Sequence, residues 1–205
     1  MELKRWVMGD LQVNTFLVWS DGEAGIIDPG GAMTEVFEHL TRLGLRLAWI
    51  VNTHGHADHI AGNAEIHSLT GAPIIIHPND RPMLVSAAAN LSAYIGAELV
   101  SPDADRTVRA GDHLELGREI LTVIETPGHT VGSISLYAPG LLFSGDALFY
   151  ESIGRTDFPG GDHRQLLASI KERLLTLPQD TLVWPGHDRS TSIGHETDFN
   201  PYLHE

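Results

Sequence analysis

The chain has 205 residues, 42% of them hydrophobic and 20% charged, which is the composition of a domain able to bury a core of its own. Lys and Arg total 13 against 27 Asp and Glu, and the resulting formal charge of -14 repels a phosphate backbone, which argues against nucleic acid as a partner. Cysteine is absent, so disulfides, thiolate ligands and a cysteine nucleophile are excluded, and imidazole and carboxylate are left as the strong side-chain ligands.

The opening residues, MELKRWVMGD, hold no continuous apolar run of signal-peptide length. No later stretch reaches the roughly 20 apolar residues that span a bilayer, so a cytoplasmic location without a membrane partner is expected. Strands are expected over 3–8, 13–20 and 24–27, with Ser20-Asp21-Gly22 turning between the last two and Asp28-Pro29-Gly30-Gly31 ending the third. Val36, Phe37, Leu40 and Leu43 fall at helical spacing, which predicts a helix over 34–43 stopped by Gly44. A buried strand over 47–52 then runs into Thr53-His54-Gly55-His56-Ala57-Asp58-His59, and a helix over 60–69 closed by Gly71 follows.

The middle of the chain adds a short strand over 73–76, a helical stretch between 80 and 95, and strands near 113–116 and 120–126. Pro127-Gly128-His129-Thr130 follows, then a hairpin of 133–137 and 141–143 around Pro139-Gly140, and then Gly145-Asp146 at a strand end. An amphipathic helix over 163–175 precedes a last strand over 181–184, which ends in Pro185-Gly186-His187. No repeat, linker or low-complexity segment divides the chain, so one domain over 1–205 is expected. Four separate strand ends each deliver a polar loop with His or Asp, the arrangement a metal site on a rigid β scaffold needs.

The spacing suggests how those ligands divide. His54 and His56, two apart in a turn leaving a strand, can converge on one ion, while Asp58 and His59 at the following helix start face a neighbour. Two adjacent divalent ions are implied: His129 completes the first group, His187 completes the second, and Asp146 is placed to bridge them. Each ion keeps an open position, as catalytic sites do, and a water shared by two cations becomes a nucleophile near neutral pH. Zinc is the expected metal, with iron and manganese as alternatives for a His/Asp ligand set.

Residues 53–59 resemble the HxHxDH signature of the metallo-β-lactamase superfamily, with His129, Asp146 and His187 completing its order along nearly the whole chain. Gly154-Arg155-Thr156-Asp157-Phe158-Pro159, Pro185-Gly186-His187-Asp188, and Thr191 to Glu196 with Asn200-Pro201 resemble its glyoxalase II-like branch, especially the short bacterial members. The resemblance implies an α/β fold, an αββα sandwich of two mixed sheets flanked by helices, and hydrolysis of thioesters such as S-D-lactoylglutathione by a metal-bridging hydroxide. On that reading Asp58 is a candidate proton acceptor, Asp146 is catalytic as well as bridging, and Asp28 orients the metal loop from behind.

This chain departs from full-length glyoxalase II in having nothing that matches its C-terminal helical domain with basic residues for glutathione. The family's substrate-contacting lysine and tyrosine are here Arg155 and Asp157, and the tyrosine after the last histidine is Arg189. Arg155 and Arg189 are therefore the candidate substrate contacts, although Arg155 also stands within reach of Asp157 or Glu151 as a plain ion pair. The Arg-Thr-Asp-Phe segment also resembles the iron-dependent persulfide dioxygenases of the superfamily, which gives an alternative oxidoreductase reading. A non-catalytic metal-binding module is a third possibility, disfavoured because no ligand is missing. The commonest zinc β-lactamases of the superfamily use a cysteine ligand that this chain lacks. His39, His67, His77, His113, His163, His195 and His204 carry no motif and are expected to be surface or helix residues, Gly55 and Gly128 to allow close backbone approach, and no cofactor beyond metal is indicated.

Overall fold

The computed structural model describes residues 1–204. In chain order the elements are β1 (Glu2–Met8), β2 (Val13–Ser20), β3 (Glu23–Ile27), α1 (Thr34–Leu43), β4 (Arg46–Val51), α2 (Ala57–Ile60), α3 (Asn63–Thr70), β5 (Ile74–Ile76), α4 (Arg81–Leu84) and β6 (Arg106–Thr107). They continue with β7 (His113–Leu116), β8 (Glu119–Glu125), β9 (Ile134–Ala138), β10 (Leu141–Gly145), β11 (Leu148–Phe149), β12 (Ser152–Ile153), α5 (His163–Ser169), β13 (Leu182–Pro185), β14 (Thr191–Ser192) and α6 (Ile193–Phe199).

Strands β1 to β6 form one sheet in sequence order, antiparallel across β1, β2 and β3 and parallel from β3 to β6. The second sheet runs β14-β13-β10-β9-β8-β7, with β10 and β13 parallel and the other pairs antiparallel. Why the central strands read as unbroken apolar runs is plain from the packing, since both faces of each sheet are covered. Phe16, Val18, Trp49, Val51 and Ile75 point one way and meet Leu121, Val123, Leu136 and Phe143 of the opposite sheet. Their alternates Leu17, Ile26, Ile50, Ile74 and Ile76 point the other way, onto Val36 and Leu40 of α1 and Ile66 of α3. Leu142 and Val183 of the second sheet pack on Leu166 of α5 and Ile193 of α6. The result is the αββα sandwich, with Phe16 and Phe143 edge to face across the middle, ring centroids 5.1 Å apart.

Several elements differ from the sequence expectation. Residues 60–69 do not make one helix: α2 stops at Ile60 and α3 starts at Asn63, because Gly62 lies against the turn after β3, donating from its N–H to the Pro29 carbonyl at 2.6 Å. The helical stretch between 80 and 95 reduces to α4 and a 3-10 turn, Ser92–Ile95. Residues 163–175 hold α5 followed by a π-helical turn, Ile170–Leu174, started by the Asp162 carboxylate accepting from Gln165 N–H. The short strands β6, β11, β12 and β14 and the helix α6 have too few residues to show a period in the sequence.

Gly128, on the loop after β8, shows how tightly that loop packs. Its φ is +134°, and a Cβ there would run into the backbone nitrogen of Leu166. The substitution G128A is expected to cost about 2–4 kcal/mol, combining backbone strain with overpacking. Urea unfolding measures it, and a loss below about 1 kcal/mol would show that α5 gives way freely.

Candidate metal centre

Each cluster residue is placed by a strand end. β4 leads through Asn52 and Thr53 into His54 and His56, and α2 presents Asp58 and His59 in its single turn. β8 leads to His129, β10 to Asp146 and β13 to His187. Three groups of potential ligand atoms lie within 4.8 Å of one another: His54, His56 and His129; His54, His59 and Asp146; Asp58, His59 and His187. Asp146 stands between the outer two groups, with Oδ1 3.4 Å from His59 Nε2 and Oδ2 3.5 Å from His129 Nε2 and 3.6 Å from His187 Nε2.

The far side of three of the five rings is anchored, which decides which of their nitrogens faces inward. His129 Nδ1 is 2.7 Å from the Arg155 carbonyl, His187 Nδ1 is 3.0 Å from the Leu11 carbonyl, and His59 Nδ1 is 2.9 Å from Asp28 Oδ2. A ring nitrogen facing an oxygen acceptor carries a proton, so Nε2 of these three rings is the atom turned to the centre. His54 Nε2, His59 Nε2 and Asp146 Oδ1 are buried and have no hydrogen-bond partner. Buried polar atoms left unpaired cost about 1–3 kcal/mol each, and three of them in one cluster are what a divalent cation would satisfy. The residues fit a metal centre on that ground.

The electrostatics agree. Burial pushes His54 well below its usual value and His56 down to about 3, with neighbouring imidazoles adding to the effect, so both stay neutral and ready to ligate. Burial also opposes charge on His59, but Asp58, Asp146 and Asp28 together outweigh it and raise that ring to about 10. For Asp58, burial is overcome by His59 and His187, which hold its carboxyl well below the usual range. The carboxylate side of the cluster therefore calls for positive charge, which a proton or a cation can supply.

The cluster forms the floor of a cavity of about 700 Å³, reached by His56, Asp58, His129, Asp146 and His187. Such dimensions suit a small-molecule substrate. Arg155 lines its rim, its guanidinium bidentate to Asp157 at 2.7 Å and lying 3.8 Å from the Phe158 ring centroid. Arg189 instead borders a separate depression with Arg5 and Asp188, its guanidinium 3.5 Å from the Tyr150 ring centroid.

The model of the metallo-beta-lactamase superfamily matches residues 8–187, a span that contains every residue of the cluster. The chain belongs to the metallo-beta-lactamase superfamily. It is 38% identical to the probable metallo-hydrolase YqgX of Bacillus subtilis over 99% of this chain and 98% of that one. To the hydroxyacylglutathione hydrolase GloC of Haemophilus influenzae it is 35% identical over 94% of this chain and 93% of the relative. The crystal structure of BLEG-1 B3 metallo-beta-lactamase superposes with a TM-score of 0.95 at 38% identity, covering 100% of both chains. That of ETHE1 from Myxococcus xanthus gives a TM-score of 0.81 at 32% identity, covering 100% of this chain and 86% of that one.

Within this superfamily fold, two buried carboxylates stand behind the cluster. Asp28 has φ 50° at the end of β3 and accepts from Thr53 N–H and Thr53 Oγ1, both at 2.7 Å, besides facing His59. Asp80, which the sequence reading passed over, accepts from Gly55 N–H at 3.1 Å, Gly132 N–H at 2.7 Å and Thr130 Oγ1 at 2.6 Å. It thus ties the loop bearing His54 and His56 to the loop bearing His129. A signal for it existed, since Asp80 follows β5 as the other ligands follow their strands. His77 departs from the expectation of a surface or helix residue. It is buried beyond the end of β5, with Nε2 3.0 Å from Glu125 Oε1 and Nδ1 accepting from Asn79 N–H, because the chain turns inward there after an apolar run that carries no mark of the turn.

Replacing Asp80 with alanine would leave two N–H groups and a hydroxyl without their acceptor, a loss of about 2–4 kcal/mol. Metal retention should weaken together with stability, because both ligand loops lose their shared anchor. Counting bound metal per chain after dialysis and measuring unfolding in parallel checks this, and a stable variant that keeps its full metal load would refute it.

Proposed function

We propose that this protein is a metal-dependent hydrolase acting on acyl thioesters in the manner of glyoxalase II, with S-D-lactoylglutathione or a similar acyl thiol as substrate. The observation that carries the reading is the set of unpartnered, inward-facing ligand atoms on the floor of an open cavity. The similarity to GloC supports the thioester class. His54, His56 and His129 would hold one ion, Asp58, His59 and His187 the other, and Asp146 would stand between them. Bound there, a divalent pair supplies an acidic water as nucleophile and a Lewis acid for the carbonyl oxygen.

The chain's own side chains provide the rest. Anchored at Nδ1, the rings of His59, His129 and His187 cannot swing, so the ligand atoms are preorganised. Asp58, partly open to the cavity and 3.3 Å from His187 Nε2, is the carboxylate placed to hold the proton released at the nucleophile. A thiolate leaves readily, so no separate protein acid is required. Arg155 at the rim is bidentate to Asp157, so it would meet a substrate carboxylate only at the cost of that pair.

Two neighbours favour other readings, and one assay panel separates them. ETHE1 fits an iron-dependent persulfide dioxygenase-like oxidoreductase, while BLEG-1, named as a B3 metallo-beta-lactamase, points to β-lactams. Protein reconstituted in parallel with zinc, iron and manganese, its metal counted, is expected to release thiol from S-D-lactoylglutathione. D146A should lose metal and turnover together, by about a hundredfold or more in kcat/KM, and H187A should do likewise. Full turnover by D146A with both ions bound would sink the assignment. Oxygen uptake with glutathione persulfide that survives H187A would establish the dioxygenase reading, and hydrolysis of a cephalosporin alone the β-lactamase one.

A further inference from the structure

On the reading that this site hydrolyses thioesters, we propose that its preferred acyl group is apolar and its thiol carrier uncharged, the acyl chain lying between two walls above the cluster. One wall is Leu91, Ile95 and Leu99; the other is Phe149, Ile153 and Phe158. Leu91 and Leu99 are half-buried, Leu99 packing on the core beneath, while Ile95 between them is 73% exposed and Tyr94 and Val100, near it in sequence, are 77% and 55% exposed. Adjacent large apolar side chains left in solvent at the mouth of a cavity mark a surface that something apolar covers.

This wall is built, not loose. Leu91 sits in the left-handed region at φ 72°, a conformation a leucine adopts only where its surroundings impose it. Those surroundings are Asn90, which is buried, and Ser92. Asn90 Nδ2 donates to the Leu99 carbonyl at 2.9 Å and its Oδ1 accepts from Ser92 N–H at 3.0 Å, while Ser92 Oγ accepts from Leu99 N–H at 3.2 Å. The Asn90 carbonyl in turn accepts from Ala57 N–H at 3.0 Å, which fastens the wall to the helix carrying Asp58 and His59. Both ends of the segment are thus pinned, and Leu91, Ile95 and Leu99 line the cavity whose floor is the cluster.

Charge points the same way. Among the described residues lining the cavity, Arg155 is the one Lys or Arg, and Asp157 already occupies its fork. Asp10 and Asp188 also line the cavity and lie outside the cluster, and the chain's formal charge is -14. A carrier bearing carboxylates or phosphates meets repulsion there and no free cation. In the reaction, water oxygen bonds to the acyl carbon and the C–S bond breaks. The products are a carboxylate, a neutral thiol and one released proton, with no oxidant or further reactant needed.

The test compares kcat/KM of the metal-loaded protein for acetyl, butanoyl, hexanoyl and octanoyl thioesters of N-acetylcysteamine, a neutral thiol, with that for S-D-lactoylglutathione. Each added methylene is expected to raise kcat/KM about threefold until the cavity is full, and the octanoyl thioester should exceed lactoylglutathione. I95N should lower the octanoyl-to-acetyl ratio about tenfold. A flat dependence on chain length, or a preference for lactoylglutathione, overturns the inference and leaves the hydrolase reading intact. Should no thioester turn over with metal bound, the hydrolase reading falls, and calorimetric binding of the matching unreactive thioethers decides the wall: affinity rising with chain length and lost in I95N upholds it, and equal weak binding overturns it.

Discussion

Five imidazoles and two carboxylates crowd one buried edge of this sandwich, and their hydrogen bonds to the protein leave several inward lone pairs unanswered. Much else in the molecule follows from holding that set together. Imidazoles packed this closely disfavour one another's protonation while the carboxylates call for positive charge, so the set is held in place by the backbone and side chains around it. Its geometry is an imposed one. The sheets supply the imposition, since His54, His129, Asp146 and His187 follow packed strands and Asp58 and His59 stand on the short helix that comes after the first of them.

The connection between rigid strands and positioned ligands runs through Asp28 and Asp80. Each is a buried carboxylate saturated by donors from the ligand loops: Asp28 by Thr53 and His59, Asp80 by Gly55, Thr130 and Gly132. A carboxylate accepting several bonds is worth more than a neutral acceptor in the same place. The backbone carbonyls of Leu11 and Arg155 do the corresponding work for His187 and His129. Substrate-facing elements are held by a different network, in which the buried Glu196 of α6 accepts from Glu151 N–H, Thr191 Oγ1 and Asn200 Nδ2. That network fixes the β11–β12 hairpin, and so the cavity wall that hairpin forms, independently of the metal ligands.

Membership of the metallo-beta-lactamase superfamily accounts for the scaffold, and the cluster lies within the span that the family's model matches. Relatives described as a metallo-hydrolase, a hydroxyacylglutathione hydrolase and a B3 metallo-beta-lactamase match this chain at comparable identity over nearly its whole length. Discrimination among substrates therefore rests on the loops that rise above the cluster, here segment 91–99 and the turn between β11 and β12.

The candidate ligands were legible in the sequence because His54, His129, Asp146 and His187 each sit in a polar loop just past an apolar strand, and because residues 53–59 resemble a known signature. The same holds for the long strands and for α1, whose period shows within a single window. Asp80 showed only its place after a strand, not its partner Gly132, and His77 and the break at Gly62 were not legible, since each is decided by a partner far along the chain, Glu125 and Pro29 respectively. Neither was the separation of Arg155 from Arg189, one at the cavity rim and the other stacked on Tyr150 outside it. Sequence by itself determined which side chains could bind a cation, because ligand chemistry is a property of single residues. Which atoms face one another, and what the space above them admits, only tertiary packing decided, because those depend on where segments remote in sequence come to rest.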